Sequence, residues 1–260
     1  MKSTRSALIT GASSGIGADF ARLLAQRGYD LILVARRQER LEALSEELRR
    51  QFSISVDVLK ADLSNAEDAH RVARRIESID NLELLINNAG FGSSGKFAEI
   101  DLSKQIDMAF THIVAPMILC RAALPGMLAR NSGAIINVAS VAAFAALPGS
   151  GAYSGSKAFL VSFTKSLALE LEGSGVKVQA LCPGFTYTEF HDTKEFEKFS
   201  RSRIPKWLWM TGEAVVLDSL NALERNKVVF IPAFRNRILA ILARLPLSKL
   251  PKQARYKVLE

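Results

Sequence analysis

The chain is short of cysteine and histidine and has no long uninterrupted apolar run, and each shortage removes a class of protein. Its two cysteines, Cys120 and Cys182, stand in apolar surroundings with no Cys-x-x-Cys pair and no Cys/His cluster. That argues against a disulfide framework or a thiolate metal site and fits buried, reduced thiols in a cytoplasmic protein. His70 and His191 lack ligand partners at suitable spacing, so no metal is expected and both are placed on the surface or in loops. No stretch approaches the roughly 20 apolar residues that a spanning helix needs. The basic start "MKSTRS" leads only into "ALIT", too short for the apolar core of an export signal. Repeats, low-complexity linkers and any break in composition before about residue 190 are missing too. One domain over residues 1–260 is therefore expected.

What is present is 260 residues, 48% of them hydrophobic, enough for a large core. The net charge of +8 is unevenly placed. Residues 1–199 carry 22 basic and 22 acidic side chains, whereas residues 200–260 carry 12 and 4. A basic end of this kind suits phosphate-bearing ligands or an anionic membrane surface. Nucleic acid is not expected, because no recognition motif accompanies the charge.

Short apolar runs alternate with helix-period segments. Ser6–Thr10, Asp30–Ala35, Ser55–Lys60, Leu82–Asn87, Gly133–Val138, Val176–Cys182 and Lys227–Pro232 read as strands, the first six buried and parallel. Helices are predicted over Gly15–Arg27, Gln38–Arg50, Ala66–Ser78, a long segment around Ser103–Arg130, and from near Tyr153. The alternation predicts a Rossmann-type, doubly wound α/β sheet, mostly parallel, of about seven strands with helices on both faces.

In such sheets ligands bind beyond the carboxyl ends of the strands. The first strand ends in "TGASSGIG", Thr10–Gly17. Gly11, Gly15 and Gly17 permit a sharp turn into a helix. The backbone of that turn, Ile16 included, then faces a pyrophosphate, and Ser13 and Ser14 add hydroxyl donors. Folds that choose NAD usually place an acidic residue about twenty positions further on. Here the second strand runs into Arg36 and Arg37 instead. Two guanidinium groups suit a 2′-phosphate, with no carboxylate at those two positions to repel it. NADP(H) is the expected cofactor, with NAD(H) as the second.

The spacing TGxxxGxG, "NNAG" at Asn87–Gly90, Ser140, Tyr153 with Lys157, and Pro183–Gly184 together resemble the short-chain dehydrogenase/reductase family. The resemblance covers roughly residues 5–190 and leans towards NADP-dependent ketone and ketoacyl reductases and hydroxysteroid dehydrogenases. It implies an oxidoreductase in which Tyr153 exchanges a proton with the substrate oxygen and Ser140 hydrogen-bonds that oxygen. Lys157 would tune Tyr153 and hold the nicotinamide ribose. Tyr153 and Lys157, four apart, share a helix face. A lysine cation about 4 Å away at an effective dielectric near 20 favours phenolate by roughly 4 kcal/mol, so a lowered tyrosine pKa is expected. By position, Asp62 and Leu63 match the adenine-binding step, and Asn88, Ala89 and Gly90 the adenosine ribose. Pro183, Gly184, Thr186 and Thr188 match the segment that fixes the carboxamide. Where the family commonly has an asparagine that interrupts the long helix and holds a water beside the lysine, this chain has His112. His112 is expected either to relay protons or to be a satisfied buried histidine.

Beyond Thr188 the family pattern fades. Residues 190–212, with Phe196, Phe199, Ile204, Trp207, Leu208, Trp209 and Met210, would either cover an apolar substrate or pack into the core. The basic residues there could meet a phosphopantetheine or coenzyme A tail, or simply be solvated. The basic amphipathic tail, residues 233–260, carries Ile238, Leu239, Ile241, Leu242 and Leu245 and has three candidate roles. It could cover the substrate mouth, dock a partner subunit or lie peripherally on a membrane. The family usually pairs through the long helix and the helix bearing Tyr153, which implies a homodimer or homotetramer. The expected activity is NADPH-dependent reduction of a lipophilic ketone or oxoacyl carbonyl. Oxidation of a secondary alcohol such as a hydroxysteroid is the alternative, and a cofactor-sensing or scaffold protein is the rival of another class.

Overall fold

Runs rich in leucine, isoleucine and valine are buried on both faces once they pair in parallel, and that is how the chain is organised. The computed structural model describes residues 5–146, 148–193 and 200–242. Phe196, Phe199, Leu245 and the end of the basic tail lie outside the described residues, as do the side chains of Leu239 and Leu242.

Strands β1 (Ser6–Thr10), β2 (Asp30–Ala35), β3 (Val56–Lys60), β4 (Leu82–Asn87), β5 (Gly133–Val138), β6 (Val176–Leu181) and a last strand at Val229–Phe230 form one sheet. Its order is β3-β2-β1-β4-β5-β6 followed by that last strand, and every pairing is parallel. Helices α1 (Gly15–Gln26), α2 (Gln38–Gln51), α3 (Ala66–Glu77), α4 (Leu102–Ala109), α5 (Ala115–Ala129) and α6 (Gly151–Glu170) fill the crossovers. The side chains of β1 alternate between two cores. Ala7 and Ile9 join Phe20 and Leu24 of α1 and Leu41 of α2, while Leu8 joins Val72 of α3 and Leu119 of α5.

Four expectations are corrected in detail. The third strand begins at Val56, the sixth stops at Leu181, and the last shrinks to Val229–Phe230. The long helix is not continuous: a π-helical turn at Phe110–Val114 separates α4 from α5. The segment Leu102–Ala129 also contains an 18-residue stretch apolar enough to span a membrane by length and composition, with mean hydropathy 1.5. Its Met108, Leu119, Cys120, Ala123 and Met127 are nonetheless buried, and α5 packs against α3 and the sheet. Finally, the sequence reading missed a helix. After two short paired strands, β7 (Thr186–Tyr187) and β8 (Met210–Thr211), helix α7 (Gly212–Glu224) buries Val215, Val216, Leu220 and Leu223 and packs on α1. The last strand is thus β9, and α8 (Phe234–Leu242) follows it.

Candidate active site

Winding reverses between β1 and β4, and the ends of these strands are tied together there. Thr10 Oγ1 accepts from the N–H of Asn88 at 2.9 Å and of Ala89 at 3.0 Å, while Asn88 Nδ2 donates to Thr10 O at 2.9 Å. Asn88 is therefore a brace for the glycine turn as well as a neighbour of any ligand. The turn needs its glycines for two physical reasons. Gly15 has a positive φ of 53°, and a β-carbon on Gly17 would stand 2.3 Å from the Gly11 carbonyl oxygen. Ser14 is the N-cap of α1 yet makes no side-chain cap bond, which leaves the first-turn N–H groups facing outward. With the hydroxyls of Ser13 and Ser14 and the Arg37 guanidinium beside them, the donor set fits the phosphates of a dinucleotide.

The two arginines are not alone. Arg36 Nη1 lies 3.7 Å from Asp62, and Arg37 donates to Ser13, Ser14 and Glu189. The expectation that no carboxylate stands beside these two arginines is corrected: besides Asp62, Glu189 is distant in sequence but sits 2.9 Å from Arg37. Asp62 Oδ1 accepts from the N–H and hydroxyl of Ser64, and Leu63 is buried beside it.

At the other end, Ser140 follows β5 and Tyr153 and Lys157 occupy the first turns of α6. Their residue types fit these places. Ser140 caps the 3₁₀ turn Val141–Phe144 by accepting from Ala142 N–H at 3.1 Å, which leaves its own hydroxyl hydrogen to give. Lys157 Nζ is buried and donates to Val138 O at 2.9 Å, 5.8 Å from the Tyr153 ring centre. Burial pushes Lys157 down to about 8. Burial also raises the Tyr153 phenol, and a hydrogen bond with Ser140 partly opposes this. The expected lowering of Tyr153 by the lysine cation is thus not what the fold produces: desolvation of the phenolate raises the group, and the influence that opposes it is the Ser140 hydrogen bond.

His112 lies in the π turn, 1% exposed. Its Nε2 accepts from Phe91 N–H at 3.1 Å, which places the ring proton on Nδ1, where the partner is Ser156 Oγ at 2.9 Å. Ser156 in turn donates to Tyr153 O at 2.8 Å. Burial, then the Lys157 charge, hold the imidazole well below its ordinary range. Gly90 passes close by: a β-carbon there would meet His112 Nε2 at 2.7 Å.

After β6, Pro183 O accepts from Val141 N–H at 3.0 Å, and buried Thr186 donates to Gly184 O at 3.0 Å. Thr188 lies against the glycine turn, 3.0 Å from where a Gly15 β-carbon would be. Phe190 approaches Tyr153 with ring centres 5.7 Å apart, and Tyr187 stacks on Trp209 at 4.8 Å. Leu208, Trp209 and Met210 are buried, as packing into the core requires, and Trp207 is exposed. His191 is half-buried among Phe185, Phe190 and Trp209 instead of lying free on the surface, and His70 is exposed on α3. Two residues escaped the sequence reading. Glu189 carried no motif, and neither did Asn236, whose buried amide lies where a Gly184 β-carbon would be.

The chain is similar to a short-chain dehydrogenase from Sphingobium yanoikuyae solved with NADPH, with a TM-score of 0.83 and 34% identity over 95% of this chain and 97% of that one. It is similar to a bulky-bulky ketone specific alcohol dehydrogenase from Comamonas testosteroni, with a TM-score of 0.78 and 32% identity over 95% of each. A very-long-chain 3-oxoacyl-CoA reductase of Pyrenophora tritici-repentis is 39% identical over 181 residues, 67% of this chain and 53% of that relative. The family model described as short chain dehydrogenase matches residues 5–198, from β1 through the Thr186–His191 segment that leans on the glycine turn. The chain accordingly belongs to the short-chain dehydrogenase/reductase family, NAD(P)-using oxidoreductases that act on carbonyls and alcohols.

Proposed function

We propose that this enzyme works with NADPH to reduce the carbonyl of a lipophilic ketone or oxoacyl compound to the alcohol. The observation that carries the reading is the cluster of Ser140, Tyr153 and buried Lys157 at the carboxyl end of β5, two strands away from a glycine turn suited to phosphate. Bound nicotinamide would supply the hydride to the carbonyl carbon.

The protein's share is the proton and the grip. Ser140 gives its hydroxyl hydrogen to the substrate oxygen. Tyr153, kept protonated by burial, passes its proton to the alkoxide that develops there, a far stronger base than phenolate. Lys157, with a pKa near neutrality, is suited to hold the next proton beside the phenolate. Reduction would start from the phenol, the form that burial favours, and oxidation from the phenolate. Ser13 and Ser14 with the glycine turn would take the pyrophosphate, Arg36 and Arg37 the 2′-phosphate, Asp62 and Leu63 the adenine, and Asn88–Gly90 the ribose. Thr186 and Thr188 would fix the carboxamide. An apolar substrate is supported by Phe190 beside Tyr153 and by the aromatic cluster behind it.

The test is a panel of ketones, aldehydes and oxoacyl thioesters of increasing chain length, followed by oxidation of NADPH or NADH. Tyr153→Phe should lower turnover at least about 100-fold while leaving NADPH binding intact, the loss expected for a general acid. Unchanged turnover in that variant would remove Tyr153 from the reaction. No turnover in the wild type across the panel would favour the sensor or scaffold reading.

A further inference from the structure

We propose that Glu189 sets the discrimination between NADPH and NADH, as a built-in anion occupying the guanidinium groups that a 2′-phosphate would take. This rests on the reading of Arg37 as the 2′-phosphate partner.

Both edges of the Arg37 guanidinium are in use. On one, Nε and Nη2 donate to Ser13 Oγ at 3.2 Å and Nη2 donates to Ser14 Oγ at 2.6 Å. On the other, Nη1 donates to Glu189 Oε2 at 2.9 Å. The second oxygen of the same carboxylate, Oε1, accepts from Arg40 Nη1 at 2.5 Å. Glu189 therefore bridges two cations at the mouth of the glycine turn, and they hold its carboxyl below the usual range.

The bridge is positioned by its neighbours. Thr188 rests against Gly15, its hydroxyl accepts from Phe190 N–H at 3.3 Å, and its carbonyl accepts from Arg201 Nη2 at 2.7 Å. The carboxylate thus reaches the arginines from the segment that follows β6. That segment also places Phe190 beside Tyr153.

A phosphate and a carboxylate of the same sign compete for the same donors. A 2′-phosphate can use Arg37 fully only after Glu189 has let go, so the apparent affinity is reduced by the fraction of molecules in which it has. NADH carries no such phosphate and makes no such demand. Glu189 consequently narrows the preference that Arg36 and Arg37 would give by themselves. Its side chain is half exposed, so the competition is the modest one of solvent-screened ion pairs.

Adenosine 2′,5′-bisphosphate and 5′-AMP isolate this end of the cofactor, and calorimetric titration of wild type, Glu189→Gln and Arg37→Ala tests the idea. Glu189→Gln should bind the bisphosphate about three- to tenfold tighter, with AMP changed less than about twofold. NADPH and NADH should follow the same pattern. If Arg37→Ala keeps the wild-type ratio of the two ligands, the Arg37 reading fails and this inference with it. If Arg37→Ala loses the ratio but Glu189→Gln binds the bisphosphate no tighter than wild type, the inference about Glu189 alone is overturned. Equal tightening of both ligands by Glu189→Gln would also overturn it, because the effect would then not reside in the 2′-phosphate.

Discussion

Lys157 is the residue whose charge the fold makes negotiable. Its ammonium is buried, hydrogen-bonded to Val138 O, and pushed from the usual 10.5 down to about 8. On the proposed mechanism its cation serves Tyr153, so kcat/KM for carbonyl reduction should fall as pH rises through about 8, with the limb reporting the free enzyme. A profile flat from pH 7 to pH 9.5 would contradict this. The stability effect has the opposite sign. A folded pKa below the unfolded one means the unfolded chain holds more protons between about 8 and 10.5. Stability from this group is present above 10.5 and is lost as pH falls through about 8. In urea titrations, wild type should therefore gain stability relative to Lys157→Met over that window. None of this depression was legible in "AYSGSKAF". The spacing placed the two side chains on one face, but their shared burial, which raises one group and lowers the other, comes from β5, β6 and the segments packed over α6.

Among the elements, the π turn at Phe110–Val114 is the one in which the sequence differs from its family's habit and the geometry explains how. Each nitrogen of His112 is committed, Nε2 to the Phe91 N–H and Nδ1 to Ser156, and Ser156 reaches the carbonyl of Tyr153. The histidine thereby ties the loop after β4 to the turn of α6 that carries Tyr153. We read it as a positioning residue, not a proton carrier. His112→Ala would leave a buried N–H without its acceptor and a cavity beside it. The expected loss is about 2–4 kcal/mol of unfolding free energy, with slower turnover but an unmoved pH limb near 8. A displaced limb with stability unchanged would instead indicate a relay. A second element, α7, shows a signal that was present but unread. Thr211 caps it by accepting from Ala214 N–H at 3.2 Å, Glu213 stands in the first turn, and Val215, Val216, Leu220 and Leu223 share the buried face.

Across the whole molecule, several apolar side chains stay exposed among the described residues. Leu102 and Ile106 of α4, Val114 of the π turn and Met117 of α5 are exposed, with Ile106 at 60%, and Leu169 is exposed on α6. These lie on the long helical segment and on α6, through which the family resemblance implies pairing, and we propose that they form that interface. Ile106→Glu should reduce the mass measured by light scattering, and an unchanged oligomer would move the interface elsewhere. The tail from residue 233 begins as α8, whose Phe234, Ile238 and Ile241 are exposed while Asn236 docks on Gly184. Its start therefore covers the turn after β6.

The sequence by itself determined the alternation of strand and helix, the glycine turn and the Ser140–Tyr153–Lys157 set. Those signals are local: the period of apolar residues, the absence of a β-carbon, a four-residue spacing on a helix. Only the tertiary structure decided the charges and the company these residues keep. Glu189 meets Arg37 across 152 positions of chain, His112 meets Ser156 across 44, and Tyr153 rises where the spacing alone had it falling. Desolvation and long-range ion pairing depend on what the folded chain packs around a group, and no short stretch of sequence carries that information.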